Sequence, residues 1–211
     1  MFIRYNQLML NVFLIFITLQ AFGAIHSLLA SHTTKAIAQR LLGTEFATMS
    51  YRLFFNVSAV MTVLPVLYLV WTLPDRELYR LPLPLSYVAL TLQGLAAAGL
   101  VYALYQMDVF FFIGLRQVID PPHTSIDATS TAQLVTNGLQ RYVRHPLYTT
   151  SLIILYLASP MTLNWLAFAF SCNVYFFIGS IFEERKLVRE FGAAYRAYQQ
   201  QVPRLLPRPW R

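Results

Sequence analysis

Long apolar stretches separated by short polar connections set the pattern of this chain. Residues 8–30, 51–73 and 83–106 contain a single formally charged residue, Arg52. A helix needs about 20 largely apolar residues to cross a hydrocarbon layer of about 30 Å, and each stretch qualifies. Residues 146–159 are apolar too, but as a helix they cover only about 21 Å at 1.5 Å per residue. Pro160-Met161-Thr162 then breaks the chain, and residues 163–182 are long enough to return. This predicts a helical hairpin whose first arm is short or begins before Pro146, and five membrane helices in all. After Glu184 the pattern changes. Leu187, Phe191, Tyr195 and Tyr198 share one helical stripe opposite Arg189, Glu190 and Arg196, which predicts an amphipathic helix that lies on the membrane or covers a pocket. Val202-Pro203 ends it. Between the third apolar stretch and the hairpin, residues 116–140 are rich in Asp, Pro, Ser and Thr, and Asp120-Pro121-Pro122-His123 cannot be helical throughout. The segment reads as a loop.

Composition places this pattern in a membrane. The 211 residues are 57% hydrophobic and 12% charged, against about 25% charged in soluble domains. The expected fold class is therefore an all-α integral membrane protein of one domain. Its parts are three N-terminal transmembrane helices within 1–106, a loop over 107–145, the hairpin at 146–183 and a tail over 184–211. Arg4 before an apolar run resembles a signal peptide. The run is longer than a typical signal core and lacks a small-residue cleavage site, so a retained membrane helix is expected. The net charge is +7, and Lys35 and Lys186 are the only lysines. The arginines flank apolar spans without interleaved aromatics, which favours headgroup contact over nucleic acid.

Loop charges then set orientation. The 31–50 connection carries Lys35, Arg40 and Glu45, whereas Asp75, Arg76, Glu77 and Arg80 cancel in the 74–82 connection. With the arginine-rich tail, the positive-inside rule predicts the N-terminus outside and the loop and tail in the cytoplasm. Cys172 has no partner for an internal disulfide and lies in an apolar run, so a buried, inert thiol is expected.

Two polar clusters bracket the hairpin: Arg144-His145-Pro146-Leu147-Tyr148 at its start and Glu183-Glu184 at its end. Hydrocarbon penalises ionisable groups unless something pairs with them, so charge at such a boundary is a functional-site hypothesis. Proline suits the first turn of a helix. Free N–H groups there attract a carboxylate, and the Tyr148 phenol can donate to the same ligand. Asn137-Gly138 is a turn signal permitting close backbone approach. A carboxylate of the glutamate pair can accept two hydroxyl protons, as from a ribose diol, or balance a sulfonium. The plainer alternatives stay open at this point: interfacial cations decorating a helix start, and acids solvated by Arg185 and Lys186.

Gln140-Arg141-Tyr142-Val143-Arg144-His145-Pro146-Leu147-Tyr148, the hairpin, Glu183-Glu184, Phe191-Gly192-Ala193-Ala194-Tyr195 and Val202-Pro203-Arg204 resemble the isoprenylcysteine carboxyl methyltransferase and phospholipid methyltransferase superfamily of integral membrane enzymes. The match covers roughly the last third of the chain. The resemblance implies S-adenosylmethionine as cofactor, bound at the cytoplasmic end of the hairpin in a bacterial inner membrane. By position, its cofactor contacts fall on Ala132, Gln133, Leu134, Val135, Gln140, His145, Pro146, Leu147, Tyr148 and Glu183. Prenylcysteine enzymes of the superfamily place a substrate arginine one turn before the first glutamate, where this chain has Gly179. That puts carboxyl methylation in doubt.

A narrower resemblance, to bacterial methanethiol S-methyltransferases, rests on His26-Ser27-Leu28-Leu29-Ala30, Gly114-Leu115-Arg116-Gln117-Val118 and Pro160-Met161-Thr162. It implies a small lipophilic acceptor such as a thiol. A phospholipid amine is the rival acceptor, and a non-catalytic membrane partner retaining the fold is the rival class. For His26 and Ser27, a hydrogen bond between helices and a substrate role both remain open. His26, His32, His123 and His145 show no ligand spacing, so no metal and no identifiable general base are expected; the catalytic residues are left unassigned.

Overall fold

The computed structural model describes residues 2–106, 109–119 and 134–208, with side chains from Tyr5 onward. Among the described residues, four helices are long and apolar enough to cross a membrane: α1 (Phe2–Ala30), α3 (Thr44–Thr72), α4 (Leu83–Gln106) and α8 (Leu163–Phe191). The chain is thus an all-α integral membrane protein. The fifth apolar helix, α7 (Pro146–Tyr156), has 11 residues and reaches only about 16 Å. It is the short first arm of the hairpin, and α8 is the return.

Three elements differ from the sequence expectation. The 31–50 connection is mostly helical. Ser31 caps α2 (His32–Leu42) by accepting the Thr34 N–H at 3.2 Å, and α3 begins at Thr44 rather than near Tyr51. The supposed loop from Arg116 begins inside short α6 (Leu115–Ile119), which follows α5 (Val109–Ile113). Most consequentially, α8 does not stop at the glutamates. It continues to Phe191, where Gly192 (φ 56°) turns the chain into α9 (Ala193–Gln201). A positive φ costs glycine little and other residues more, so the expected single tail helix is divided there. The stripe then faces inward: Tyr195, Tyr198 and Val202 are buried with Leu187, Val188 and Phe191 around them.

Helix packing uses small residues and a compact aliphatic core. Ile15 and Leu19 of α1, Val66 and Val70 of α3, and Ala167, Phe168 and Cys172 of α8 form one buried cluster, so Cys172 is a packed core residue. Ala89, Ala96 and Ala103 lie at seven-residue spacing, all buried, on a helix that packs against α7. A Cβ on Gly99 of the same helix would approach Thr150 to 3.3 Å. Small residues of this kind let membrane helices approach closely, and Gln93 Nε2 bonds across to the Ile154 carbonyl at 2.8 Å.

At the far end the hairpin tip is pinned. β2 (Met161–Thr162) pairs antiparallel with β1 (Glu77–Tyr79). Asp75 accepts the Asn164 N–H at 3.0 Å, and Thr162 caps α8 through the Trp165 N–H. This fixes the register of α8, and with it the level at which Glu183 and Glu184 emerge at the opposite end.

Candidate functional site

Pro146 occupies the first turn of α7, so Arg144 and His145 lie just outside the helix with backbone N–H groups to satisfy. The tail does this. Arg144 N–H donates to the Pro203 carbonyl at 2.9 Å, and His145 N–H to the Arg204 carbonyl at 3.1 Å. Thr149 Oγ1 adds a bond to the Leu205 carbonyl at 2.6 Å. The residues after α9 are thereby stitched along the start of α7, and α8 supplies the glutamates between them.

The two glutamates have different surroundings. Glu184 is buried, its side chain 3% exposed, and is bonded on every side. Arg144 reaches Oε1 through Nε at 2.8 Å and its terminal nitrogen at 2.7 Å. Arg204 reaches Oε2 at 3.1 Å, Gln199 Nε2 donates to Oε2 at 2.9 Å, and His145 Nε2 lies 3.1 Å from Oε1. Arg144 also donates to the carbonyls of Gln199 and Val202. A buried carboxylate needs pairing on this scale to stay ionised. Glu184 therefore acts as the joint between α7, α8 and the tail, with no capacity left for a ligand.

Glu183 is half-exposed, its side chain 48% accessible. One oxygen, Oε2, receives the Tyr148 hydroxyl at 3.0 Å and faces His145 Nδ1 at 3.3 Å. The carboxylate is thus oriented from one side and open on the other. His145 lies between the glutamates and is itself buried. Burial disfavours its charged form, but the hydrogen bonds to Glu183 and Glu184 outweigh that and hold its pKa above the ordinary 6.5. As imidazolium, both ring nitrogens donate to carboxylates. Tyr148 stacks between His145, with centroids 5.3 Å apart, and Phe176, at 4.7 Å, which fixes the direction of its hydroxyl.

Beside Glu183 there is room. A Cβ on Gly179, one turn earlier in α8, would have the Tyr148 hydroxyl at 4.0 Å as its nearest neighbour. Gln140 stands in the 3-10 turn Gly138–Arg141. Its carbonyl accepts the Tyr198 hydroxyl at 2.6 Å, while its side-chain Oε1 is buried without a partner among the described residues. Burial pushes the Tyr198 phenol up to about 12, keeping it a donor. The close approach expected at Asn137-Gly138 is present: a Cβ on Gly138 (φ 58°) would meet the Gln106 amide at 2.5 Å.

Among the sequence-predicted contacts, His145, Tyr148 and Glu183 are in direct contact. Pro146 is buried and Leu147 half-buried in the first turn of α7. Leu134 packs on the Tyr195, Tyr198 and Val202 cluster, and Val135 is exposed. Ala132, Gln133 and the Asp120-Pro121-Pro122-His123 segment lie outside the described residues. Sequence reading missed Phe176 and Gln199, and it quoted Arg204 without a role. The Val202-Pro203-Arg204 block was the available signal, because its carbonyls and guanidinium close the site. A separate cleft of about 670 Å³, bordered by Phe182, Arg185, Arg189, Gln199 and Arg204, touches Glu184 but none of His145, Tyr148 and Glu183.

The fold defines an integral membrane protein, and sequence comparison gives its class, a methyltransferase, and its family. The chain is 30% identical over 189 residues to the methanethiol S-methyltransferase of Pseudomonas deceptionensis, covering 88% of this chain and 69% of that protein. It is 29% identical over 196 residues to methanethiol S-methyltransferase 1 of Bradyrhizobium diazoefficiens, covering 90% of this chain and 64% of that one. For the Mycobacterium tuberculosis enzyme of the same name, identity is 28% over 200 residues, with 92% and 78% covered. The chain belongs to the methanethiol S-methyltransferase family, within the isoprenylcysteine carboxyl methyltransferase-like group. It spans just under two-thirds of the Bradyrhizobium relative, at 64%. No family model and no solved structure matches.

Proposed function

We propose that this protein is an S-adenosylmethionine-dependent methyltransferase of the membrane that converts methanethiol to dimethyl sulfide. The observation that carries the reading is the unequal pair: Glu184 is saturated and structural, while Glu183 is held by Tyr148 and His145 with its outer face open. An oriented, half-exposed carboxylate suits a ribose diol or the positive charge of a sulfonium. The unpartnered Gln140 Oε1 supplies a buried acceptor for a donor group on the same ligand. Those features fit the cofactor; Glu183, Tyr148, His145 and Gln140 would hold it, and it would supply an electrophilic methyl group.

The remaining work of the protein is positional. Rigid placement of two reactants in a water-poor site accounts for much of the barrier reduction in a displacement of this kind. Stacking of Tyr148 between His145 and Phe176, and the Glu184 joint beneath, provide that rigidity. The space at Gly179, lacking the arginine that would bind a carboxylate, favours a small uncharged acceptor. The family names point the same way. With the positive-inside orientation, the site opens to the cytoplasm, where the cofactor is available.

Incubation of purified protein with methyl-labelled cofactor and a panel of thiols, amines and phospholipids tests this. Volatile label released with methanethiol is the expected result. Label retained in extracted lipid overturns the thiol assignment.

A further inference from the structure

His26 stands one turn before the end of α1, on a membrane helix, among aromatic rings. Phe55 of α3 lies 4.4 Å away between centroids, Phe22 at 5.6 Å and Tyr175 of α8 at 6.4 Å. Its Nδ1 is buried with no hydrogen-bond partner among the described residues. Buried polar atoms are nearly always paired, so an orphan needs a reason. The sequence left a hydrogen bond between helices as one option for His26, and Nδ1 makes none.

The box is connected to the site. A Cβ on Gly23 would lie 2.7 Å from the Tyr175 ring, so the missing side chain is what lets Tyr175 settle against α1 beside His26. Tyr175, Gly179 and Glu183 follow one another at four-residue spacing and share one face of α8. Tyr175 also meets Phe176 at 5.7 Å, and Phe176 stacks on Tyr148. Glu183 and the aromatic box are therefore the two ends of one strip, and Gly179 leaves its middle open.

We propose that His26 is the proton acceptor for the thiol substrate, which occupies the strip at Gly179 between the imidazole and Glu183. This rests on the thiol reading above. A thiol is a weak nucleophile until it loses its proton. His145 has both ring nitrogens engaged by carboxylates, whereas His26 Nδ1 is unpartnered among the described residues. The thiol S–H proton passes to that nitrogen. A sulfur lone pair then forms the new C–S bond to the methyl carbon. The sulfonium C–S bond breaks with its electron pair going to the departing sulfur, and the imidazolium later returns its proton to water.

The test compares methanethiol with methaneselenol, an acceptor of nearly the same size that is ionised at neutral pH without a base. In His26→Gln, the methanethiol rate should fall by about 10²-fold, the scale of general-base catalysis, while the methaneselenol rate and calorimetric cofactor binding stay near wild type. A second readout needs no turnover: with the demethylated product bound, added methanethiol should show the thiolate ultraviolet band in wild type and lose it in the variant. Equal losses with both acceptors, or no loss with either, overturn the role of His26. Should the variant fail to fold, wild type decides. Methylation of methanethiol, relative to methaneselenol, no faster than its ionised fraction in water allows would overturn the proposal. Wild-type protein that binds cofactor yet methylates neither acceptor removes the thiol reading itself, and the role of His26 with it.

Discussion

Replacing each glutamate by glutamine separates the scaffold from the ligand site, because the two carboxylates sit in such different surroundings. Glu184→Gln removes a charge that is 3% exposed and opposes Arg144, itself 8% exposed. Deleting one partner of a buried pair leaves the other uncompensated, which costs about 3–5 kcal/mol. At about 2–4 °C per kcal/mol for a chain of this size, the midpoint should fall by roughly 6–20 °C. Glu183→Gln removes a half-exposed charge with one hydroxyl bond at 3.0 Å and one imidazole contact at 3.3 Å. A typical hydrogen bond contributes about 0.5–1.5 kcal/mol, and exposure reduces the ionic part further. Its midpoint should therefore drop by only a few degrees. Thermal denaturation in detergent gives the midpoints, and calorimetry with S-adenosylmethionine gives affinity. The expected outcome is a folded Glu183→Gln protein that does not bind cofactor, beside a Glu184→Gln protein that unfolds early. A Glu184→Gln midpoint equal to wild type, or two variants equally destabilised, would refute the division of labour.

His145 gives stability a pH dependence. Its folded pKa lies above 6.5, so its stabilising contribution is complete below about 6.5 and is lost as pH rises through the raised value. Denaturation midpoints measured across pH should decline above neutrality, and His145→Gln should flatten that decline. Tyr198→Phe deletes the 2.6 Å bond to the Gln140 carbonyl. A loss of about 1 kcal/mol and a severalfold weaker cofactor affinity are expected, read by denaturation and calorimetry. Gly23→Ala forces a methyl to 2.7 Å from Tyr175; overpacking of this kind costs about 1–3 kcal/mol, and a midpoint unchanged from wild type would show that Tyr175 moves freely.

Much of the fold was legible because membrane spans are the most length-constrained elements a sequence encodes. The hairpin, its short first arm and its Pro160 tip followed from counting apolar residues. The polar clusters stood out because charge is scarce in this chain. What stayed hidden depends on tertiary contact. The continuation of α8 beyond Glu183 requires Glu184 to be buried among Arg144, Arg204 and Gln199, and none of those pairings has a local signature. The division of the tail at Gly192 needed a backbone angle, although Gly192 itself was visible. Helix α2 was masked because Lys35 and Arg40 read equally well as loop charges that set topology. The β1–β2 pairing involves two short segments with no alternation to detect. His26 was visible as part of a motif, but only the packing of Phe22, Phe55 and Tyr175 shows that its Nδ1 is left unpaired.

A crystal structure grown from lipid with S-adenosylhomocysteine bound tests the central claim most directly. The product should lie against the open face of the Glu183 carboxylate, with Gln140 and Tyr148 in contact and its sulfur directed toward Gly179. Ligand found instead in the arginine-lined cleft formed by Arg185, Arg189, Gln199 and Arg204, away from Glu183, would contradict it.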